Sequence, residues 1–324
     1  MFHTVICDLL DIRFPVLQGA MQGAGGPELV AAVSEAGGLG VLPTFGGTEE
    51  ALVADIARTR ALTGKRFAVN ITPMGRAFTE SRARICIEQD VPIVTTGRAD
   101  PGAAAVRMLK DAGIIVLSVI PTVEHARRMA DEGVDGVIAS GCEAGGHVGH
   151  VATLPLVPMV VDALEIPVLA AGGIADGRGF LAALALGAVG VQVGTRFIAT
   201  PESAAGQWYR QQVLEMCETD TIVSDALTGA TVRCIATPEV VAYEKARLRG
   251  VGGEELRALR QTARRDYGHS DKIDPEQRRQ GTAGQIAGMV HEPMPAAQVI
   301  SEMMAEAARL ADSLAALARE RNAG

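Results

Sequence analysis

The sequence predicts an α/β protein in which eight parallel strands close into a (β/α)8 TIM barrel, with a small covering insertion and a C-terminal helix. Short apolar runs rich in β-branched residues recur up to residue 200, and each is followed by a helical pattern. Strands that alternate with helices indicate a parallel sheet. Of the 324 residues, 48% are hydrophobic but only 3% are aromatic, which suits strands buried on both faces.

Eight segments have the length and composition of buried strands. The spacing between them averages about 25 residues, which is compact for a barrel. The predicted strands are Pro15–Gly19, Leu39–Pro43, Phe67–Ile71, Pro92–Thr95, Ile114–Ile120, Gly136–Ser140, Pro167–Ala170 and Val189–Val193.

Helical patterns separate these strands. An open doubly wound sheet is the alternative architecture, but it would usually carry a G-x-G-x-x-G turn after its first strand. Gly23, Gly25 and Gly26 do not have that spacing, so the closed barrel is favoured. The predicted helices are Pro27–Ala36, Thr48–Leu62, Thr79–Gln89, Ala103–Asp111, Val123–Asp131, Leu154–Leu164 and Gly177–Ala185.

The chain divides into three predicted regions. Residues 1–200 form the barrel. Residues 201–290 are polar and irregular, and we interpret them as an insertion that covers the barrel mouth, with an exposed dimer surface as the alternative. Residues 291–324 contain an Ala-rich pattern from Met294 to Arg321, preceded by Pro293, which predicts one long helix packed back on the barrel.

Composition restricts the partners and the location. A formal net charge of −8 and a single Trp disfavour a nucleic-acid partner. Five scattered cysteines and no basic leader segment indicate a cytoplasmic protein with reduced thiols. No apolar run approaches the roughly 20 residues that cross a bilayer, so no membrane association is expected.

Glycine-rich turns follow the last two predicted strands. Phosphate groups are commonly held at these two places in a TIM barrel. Gly172 and Gly173 follow the seventh strand, and Gly194 and Thr195 follow the eighth. Glycine lets backbone N–H groups approach phosphate oxygens, so the pair of turns predicts a phosphate site, although tight turns alone would also require the glycines. Asp176 has the position of an N-cap for the next helix.

The loop after the sixth strand contains four glycines, two histidines and Glu143 within ten residues. The backbone of Gly145 and Gly146 must bend tightly and approach another group, and His147 is the candidate general acid or base. Glu143, His147 and His150 match no zinc spacing, so no metal site is predicted. The sequence also lacks the G-x-S-x-G elbow of a serine hydrolase.

Residues at the ends of three other strands suit a flat ring with a mixed donor and acceptor edge. Ala20 and Met21 follow the first strand and leave backbone open to a ring, although a simple turn would look similar. The Asn70 amide both donates and accepts hydrogen bonds. Thr96 ends the fourth strand with a hydroxyl that we expect at the same mouth.

These motifs together resemble the nitronate monooxygenase family, formerly the 2-nitropropane dioxygenases, which includes flavin-dependent enoyl-ACP reductases. The resemblance covers Phe14 to Ser203 in the family order and resumes near the end of the chain. The segments that carry it are Pro15–Met21, Ser34–Gly40, Asn70, Glu143–Gly149, Ala170–Asp176, Gln192–Phe197 and Gly284–Gly288.

The resemblance implies an FMN enzyme, a small-molecule substrate and a homodimer. It implies that His147 is the active-site histidine and that Gly173 and the run Gln192, Val193, Gly194 and Thr195 contact the phosphate region of the flavin. It also implies that Ala20, Met21 and Asn70 belong to the flavin ring site.

Two reactions follow from the resemblance. The first is oxidation of an alkyl nitronate with O2, and the alternative is reduction of an enoyl thioester (ACP or CoA) with NADH or NADPH as the electron donor. Pro92–Gly97 and Pro121–Met129 look like the reductase branch. Arg98–Pro101, however, stands where the reductases usually carry small residues and Asn.

Overall fold

The computed structural model describes residues 2–44, 47–264 and 281–320. Each predicted strand is present within two residues of its expected bounds. The strands are β1 (Val16–Gln18), β2 (Val41–Pro43), β3 (Ala68–Ile71), β4 (Ile93–Thr96), β5 (Ile115–Ile120), β6 (Gly136–Ser140), β7 (Gly146–His147), β8 (Val168–Ala171), β9 (Gly190–Val193), β10 (Thr221–Ser224) and β11 (Val232–Ile235).

Helices follow the barrel strands as the alternating pattern predicts, and three of them have the predicted bounds unchanged. The helices are α1 (Val5–Leu10), α2 (Pro27–Glu35), α3 (Glu49–Leu62), α4 (Arg76–Glu88), α5 (Ala103–Asp111), α6 (Val123–Asp131), α7 (Thr153–Val161), α8 (Gly177–Ala185), α9 (Thr195–Ile198), α10 (Gln207–Glu215), α11 (Pro238–Leu248), α12 (Gly253–Arg264) and α13 (Ala296–Glu320), with a 3-10 helix at Gln285–Met289.

Eight parallel strands form the main sheet in the order β1-β9-β8-β6-β5-β4-β3-β2. The two ends of this sheet meet where Leu17 bridges Leu39 in parallel. There the Gln18 N–H donates to the Leu39 carbonyl at 2.9 Å, and the Leu39 N–H donates to the Val16 carbonyl at 3.0 Å. The predicted (β/α)8 barrel is therefore confirmed.

The amino-terminal end of the barrel is closed by α1, which the sequence patterns did not predict. Ile6, Cys7 and Leu10 of this helix are buried in one cluster with the apolar side chains that fill the barrel. The Thr4 hydroxyl donates to the carbonyl of Val189, directly before β9. Because this end is filled, the carboxyl ends of the strands are left for a site, as is usual in this fold.

The last helix, α13, lies against α8 and α2. Ile300 and Met303 are buried in the cluster between the sheet and its helices, and the Glu306 carboxylate accepts from the Gly177 N–H at 2.8 Å. The predicted span from Met294 to Arg321 is nearly matched, although Arg321 lies outside the described residues.

Residues beyond the barrel add a second, three-stranded sheet. Strand β11 pairs antiparallel with β10 on one side and with β7, from the loop after β6, on the other. Helix α11 packs beside this sheet, and Tyr243 and Val240 are buried with Val232 and Cys234. Residues 265–280 of the predicted insertion lie outside the described residues, and the division at 201–290 stays a prediction. Within the described ranges, no helix is both long and apolar enough to cross a membrane.

Candidate active site

A cavity of about 270 Å³ opens at the carboxyl ends of the barrel strands. Its walls come from the loops that follow the strands and from the chain after Thr200. Most of the residues singled out in the sequence lie here. Those that line the cavity are Ala20, Met21, Asn70, Gly145, Gly146, His147, Gly172, Gly173, Gln192, Gly194 and Thr195.

Thr96 and Val193 are not among the residues that line this cavity. The Thr96 side chain is buried, and its hydroxyl donates to the Ser118 hydroxyl at 2.9 Å on the neighbouring strand. The Val193 side chain packs in the apolar layer between sheet and helices, and its carbonyl accepts from the Gly19 N–H at 2.8 Å. Both residues therefore contribute to the barrel wall behind the cavity.

The loop after β8 has a backbone that favours glycine. Gly172 and Gly173 have φ angles of +91° and +75°, which residues with a side chain rarely adopt. A Cβ at Gly172 would lie 3.0 Å from the Ala144 nitrogen, so this loop touches the loop after β6. Asp176 caps α8, as predicted, by accepting from the N–H groups of Arg178 and Gly179.

Glu143 fixes the loop after β6. Both oxygens of its carboxylate accept from the Thr153 N–H, at 3.0 and 2.9 Å, and the Thr153 hydroxyl lies 3.0 Å from one of them. A Cβ at Gly141 would lie 2.4 Å from the Thr153 nitrogen, so only glycine permits this approach. Glu143 thus anchors the loop to the start of α7.

The segment at residues 281–289 completes this wall of the cavity. The Gly284 N–H donates to the Thr195 hydroxyl at 2.9 Å, and the Gln285 N–H donates to the Glu143 carbonyl at 2.9 Å. A Cβ at Gly284 would lie 2.7 Å from the Glu143 oxygen. The glycine-rich turns after β6 and β9 are therefore joined through a segment that lies 89 residues beyond Thr195 in the chain.

Polar groups with fixed orientations occupy the side of the cavity near β3. The Asn70 amide donates to the Thr95 hydroxyl at 2.9 Å, and its carbonyl oxygen accepts from the Thr72 hydroxyl at 3.2 Å. The Gln22 side chain, after β1, also lines the cavity, and its oxygen is buried without a hydrogen-bond partner in the described structure. Only the Asn70 amide is thus oriented by hydrogen bonds on the β3 side.

His147 lies in β7, directly opposite Val232 of β11. Its ring is exposed to the cavity, yet surrounding protein removes part of its hydration. This desolvation, and secondly the positive charge of Arg98, lower the pKa of His147 below its ordinary value near 6.5. His147 is therefore a neutral imidazole at neutral pH, able to accept a proton.

Two arginines that the sequence patterns did not assign to the site also belong to it. Arg233 is buried on β11, and its guanidinium donates to the Cys142 carbonyl at 2.7 Å and to the Thr221 hydroxyl at 3.0 Å. Arg98 lines the cavity and donates to the Ser140 carbonyl at 2.9 Å. Arg98 lies in a polar stretch that gives no sequence signal of burial, and the role of Arg233 depends on the pairing of β11 with β7, which joins distant segments.

A family model described as nitronate monooxygenase matches residues 3–306. The chain belongs to the nitronate monooxygenase family. The resemblance read from the motifs is thereby confirmed, and the protein is an oxidoreductase of the flavin type that this family shares.

The relatives that this chain resembles are named for different reactions. A (3aS,4S,5R,7aS)-5-hydroxy-7a-methyl-1-oxo-octahydro-1H-indene-4-carboxyl-CoA dehydrogenase from Rhodococcus jostii is 40% identical over 242 residues, covering 75% of this chain and 68% of the relative. A "Probable nitronate monooxygenase" from Staphylococcus saprophyticus is 35% identical, covering 72% and 78%. The solved structure of FabK from Thermotoga maritima is 36% identical with a TM-score of 0.86, covering 98% and 100%.

Replacing Arg233 with Leu should loosen the loop that carries His147. The variant loses two hydrogen bonds from a charged donor, each worth about 1.5–3 kcal/mol. Since about 1.4 kcal/mol corresponds to a factor of ten, amide hydrogen exchange over Gly146–Val148 should accelerate by about a hundred- to ten-thousandfold. Arg249→Leu, at an exposed position after α11, is the control and should leave exchange unchanged. Equal exchange in Arg233→Leu and the parent protein would show that Arg233 does not position this loop.

Proposed function

We propose that this protein is an FMN-dependent oxidoreductase that oxidises alkyl nitronates with O2. The observation that carries the proposal is that the imidazole of His147 lines the same cavity as the glycine turns after β8 and β9. Membership of the nitronate monooxygenase family supports the same reaction.

The residues present fit FMN. The left-handed backbone at Gly172 and Gly173 and the bare position at Gly194 leave N–H groups accessible to phosphate oxygens. In the same cavity, the oriented Asn70 amide offers the mixed donor and acceptor character that suits a flavin ring edge. When bound, FMN supplies an acceptor and donor of one or two electrons that no side chain can replace.

His147 would act on the substrate. A neutral nitroalkane must lose the proton from the carbon next to the nitro group before it is oxidised as a nitronate, and a neutral imidazole can accept this proton. With a pre-formed nitronate, His147 has no proton to remove and its role is to orient the substrate. The pairing of β7 with β11 and the anchoring of the loop by Glu143 hold the imidazole in place for both forms of the substrate.

Reduction of an enoyl thioester is the second candidate. It is favoured by the likeness to the enoyl-ACP reductase FabK across 98% of this chain, and by the relative named as a dehydrogenase of a CoA thioester. In that reaction NADH or NADPH would be the electron donor, and His147 would polarise the thioester carbonyl or supply a proton.

We also propose that residues 201–290 cover the mouth of the barrel. Tyr209, Thr228, Val232 and Thr282 from this part of the chain line the cavity. A cover of this kind excludes water from the reacting groups and completes the site.

Anaerobic mixing separates the two reactions. The protein is loaded with FMN, and flavin absorbance is followed after addition of a nitronate, of NADH or of NADPH. We expect rapid bleaching with the nitronate and slow or no bleaching with the nicotinamides. Rapid bleaching by NADH or NADPH alone, followed by recolouring with an enoyl thioester, would instead establish the reductase reaction.

Replacing Gly194 with Leu should give a folded protein that binds FMN poorly. A Cβ at this position meets only Met21, at 3.6 Å, so the protein itself accommodates the side chain while the cavity does not. We expect FMN affinity to fall by about tenfold or more, measured by fluorescence titration. Gly64→Leu is the matched control, since nothing lies within 4 Å of its Cβ. Unchanged flavin affinity in Gly194→Leu would remove this turn from the phosphate site.

His147→Ala should slow oxidation of a neutral nitroalkane by about 10²–10⁴-fold, because a positioned base is lost. The loss should be much smaller with the pre-formed nitronate, and His150→Ala, at an exposed position outside the cavity lining, should behave as the parent protein. Because the pKa of His147 is lowered, kcat/KM on the nitroalkane should fall only as the pH drops below about 6.5. Equal losses on both substrate forms would exclude His147 as the base.

A further inference from the structure

We propose that Arg98 forms an anion-binding subsite in the cavity, which takes the two oxygens of a planar anionic group on the substrate. A nitronate and a carboxylate have this same geometry, with two oxygens that share one negative charge. The planar guanidinium presents paired N–H donors that match such a group. The inference deepens the proposed function, since it rests on the cavity being the substrate site.

Arg98 is the second residue after β4, and its side chain lines the cavity. One of its terminal nitrogens donates to the Ser140 carbonyl at 2.9 Å, which fixes the guanidinium against the end of β6. A Cβ at Gly149 would lie 3.3 Å from that nitrogen, tighter than ordinary contact. The absence of a side chain at Gly149, two residues after His147, thus makes room for the guanidinium.

The guanidinium has donors to spare. Its Nε is buried and has no hydrogen-bond partner in the described ranges. A guanidinium carries five N–H groups, and a buried one without an acceptor costs free energy. Because Nε is covered by protein, a ligand would accept from the terminal nitrogens, of which Ser140 uses only one among the described residues.

The charge of Arg98 also lacks a carboxylate among the described residues. Asp100 pairs with Arg128 at 3.1 Å, and both oxygens of Glu143 face Thr153. Among the described residues that line the cavity, Arg98 has the only permanently positive side chain. Burial lowers the pKa of Arg98 to about 10, which still leaves it cationic at neutral pH. Buried charges are normally paired, so an anion is the expected partner.

The charge of Arg98 would assist proton removal by the neighbouring imidazole of His147. Removal of a proton by His147 from the carbon beside a nitro group transfers negative charge to the two nitro oxygens. A fixed cation at those oxygens stabilises the anion as it forms. The same cation keeps His147 neutral beforehand, because it disfavours a second positive charge nearby.

Binding of propionate to the FMN-loaded protein tests the subsite without any turnover. Propionate has the planar anion of a short nitronate, and propionamide is the uncharged probe of the same shape. We expect calorimetry to show that propionate binds about ten- to a hundredfold more weakly to Arg98→Gln. The loss should be smaller in Arg98→Lys, which keeps the positive charge but not the paired N–H donors. Arg107→Gln, exposed on α5, should bind as the parent protein.

A second measurement separates binding from a purely structural role. In Arg98→Gln the pKa of His147 should rise, so the acid limb of kcat/KM on a nitroalkane should move to higher pH, while KM for the nitronate increases. Propionate binding unchanged in Arg98→Gln would overturn the subsite even if nitronates are oxidised. Arg98-dependent propionate binding without nitronate turnover would keep the subsite and reject the proposed reaction.

Discussion

The candidate site depends on three backbone segments that approach more closely than side chains permit. A Cβ at Gly141 would overlap Thr153, one at Gly145 would lie 2.8 Å from the backbone of Ala283, and one at Gly284 would lie 2.7 Å from the Glu143 oxygen. Each contact joins the loop after β6 to another part of the chain. These contacts, with the hydrogen bonds of Gly284 and Gln285, hold the loop that carries His147 against the glycine turns after β8 and β9.

This close packing makes the chain after Thr200 part of the site. The strand that carries Arg233 and Val232 pairs with β7, and the pairing extends the loop of His147 into a three-stranded sheet. A two-residue strand is unstable alone, and its stability here comes from the partner strand and from the buried guanidinium on the Cys142 carbonyl. A change in β10 or β11 would thus be transmitted to the imidazole through backbone hydrogen bonds.

Sequence patterns predicted the barrel well because each strand is a short β-branched run, and the segment after it has the helical spacing of apolar residues. They predicted most of the cavity because glycines clustered at the ends of barrel strands are typical of backbone that contacts a ligand. Gln192 and Val193 mark the limit of such patterns: successive residues of a strand face opposite sides, so Gln192 lines the cavity while Val193 packs under the helices. Arg98 and Arg233 were missed because their burial depends on segments far away in the chain.

The two candidate reactions require the same local chemistry. In each, negative charge on substrate oxygen is formed or removed beside the carbon that reacts, so an imidazole and a fixed cation serve both. His147 and Arg98 therefore cannot select between a small nitronate and a long thioester. That selection falls to the walls beyond them, where Tyr209, Thr228 and Thr282 face the cavity. A thioester carrier is long and needs a passage to the surface of the protein, whereas a small nitronate needs only room beside His147. We therefore expect the chain after Thr200 to restrict substrate size, and the barrel residues His147 and Arg98 to stabilise the charge on the substrate.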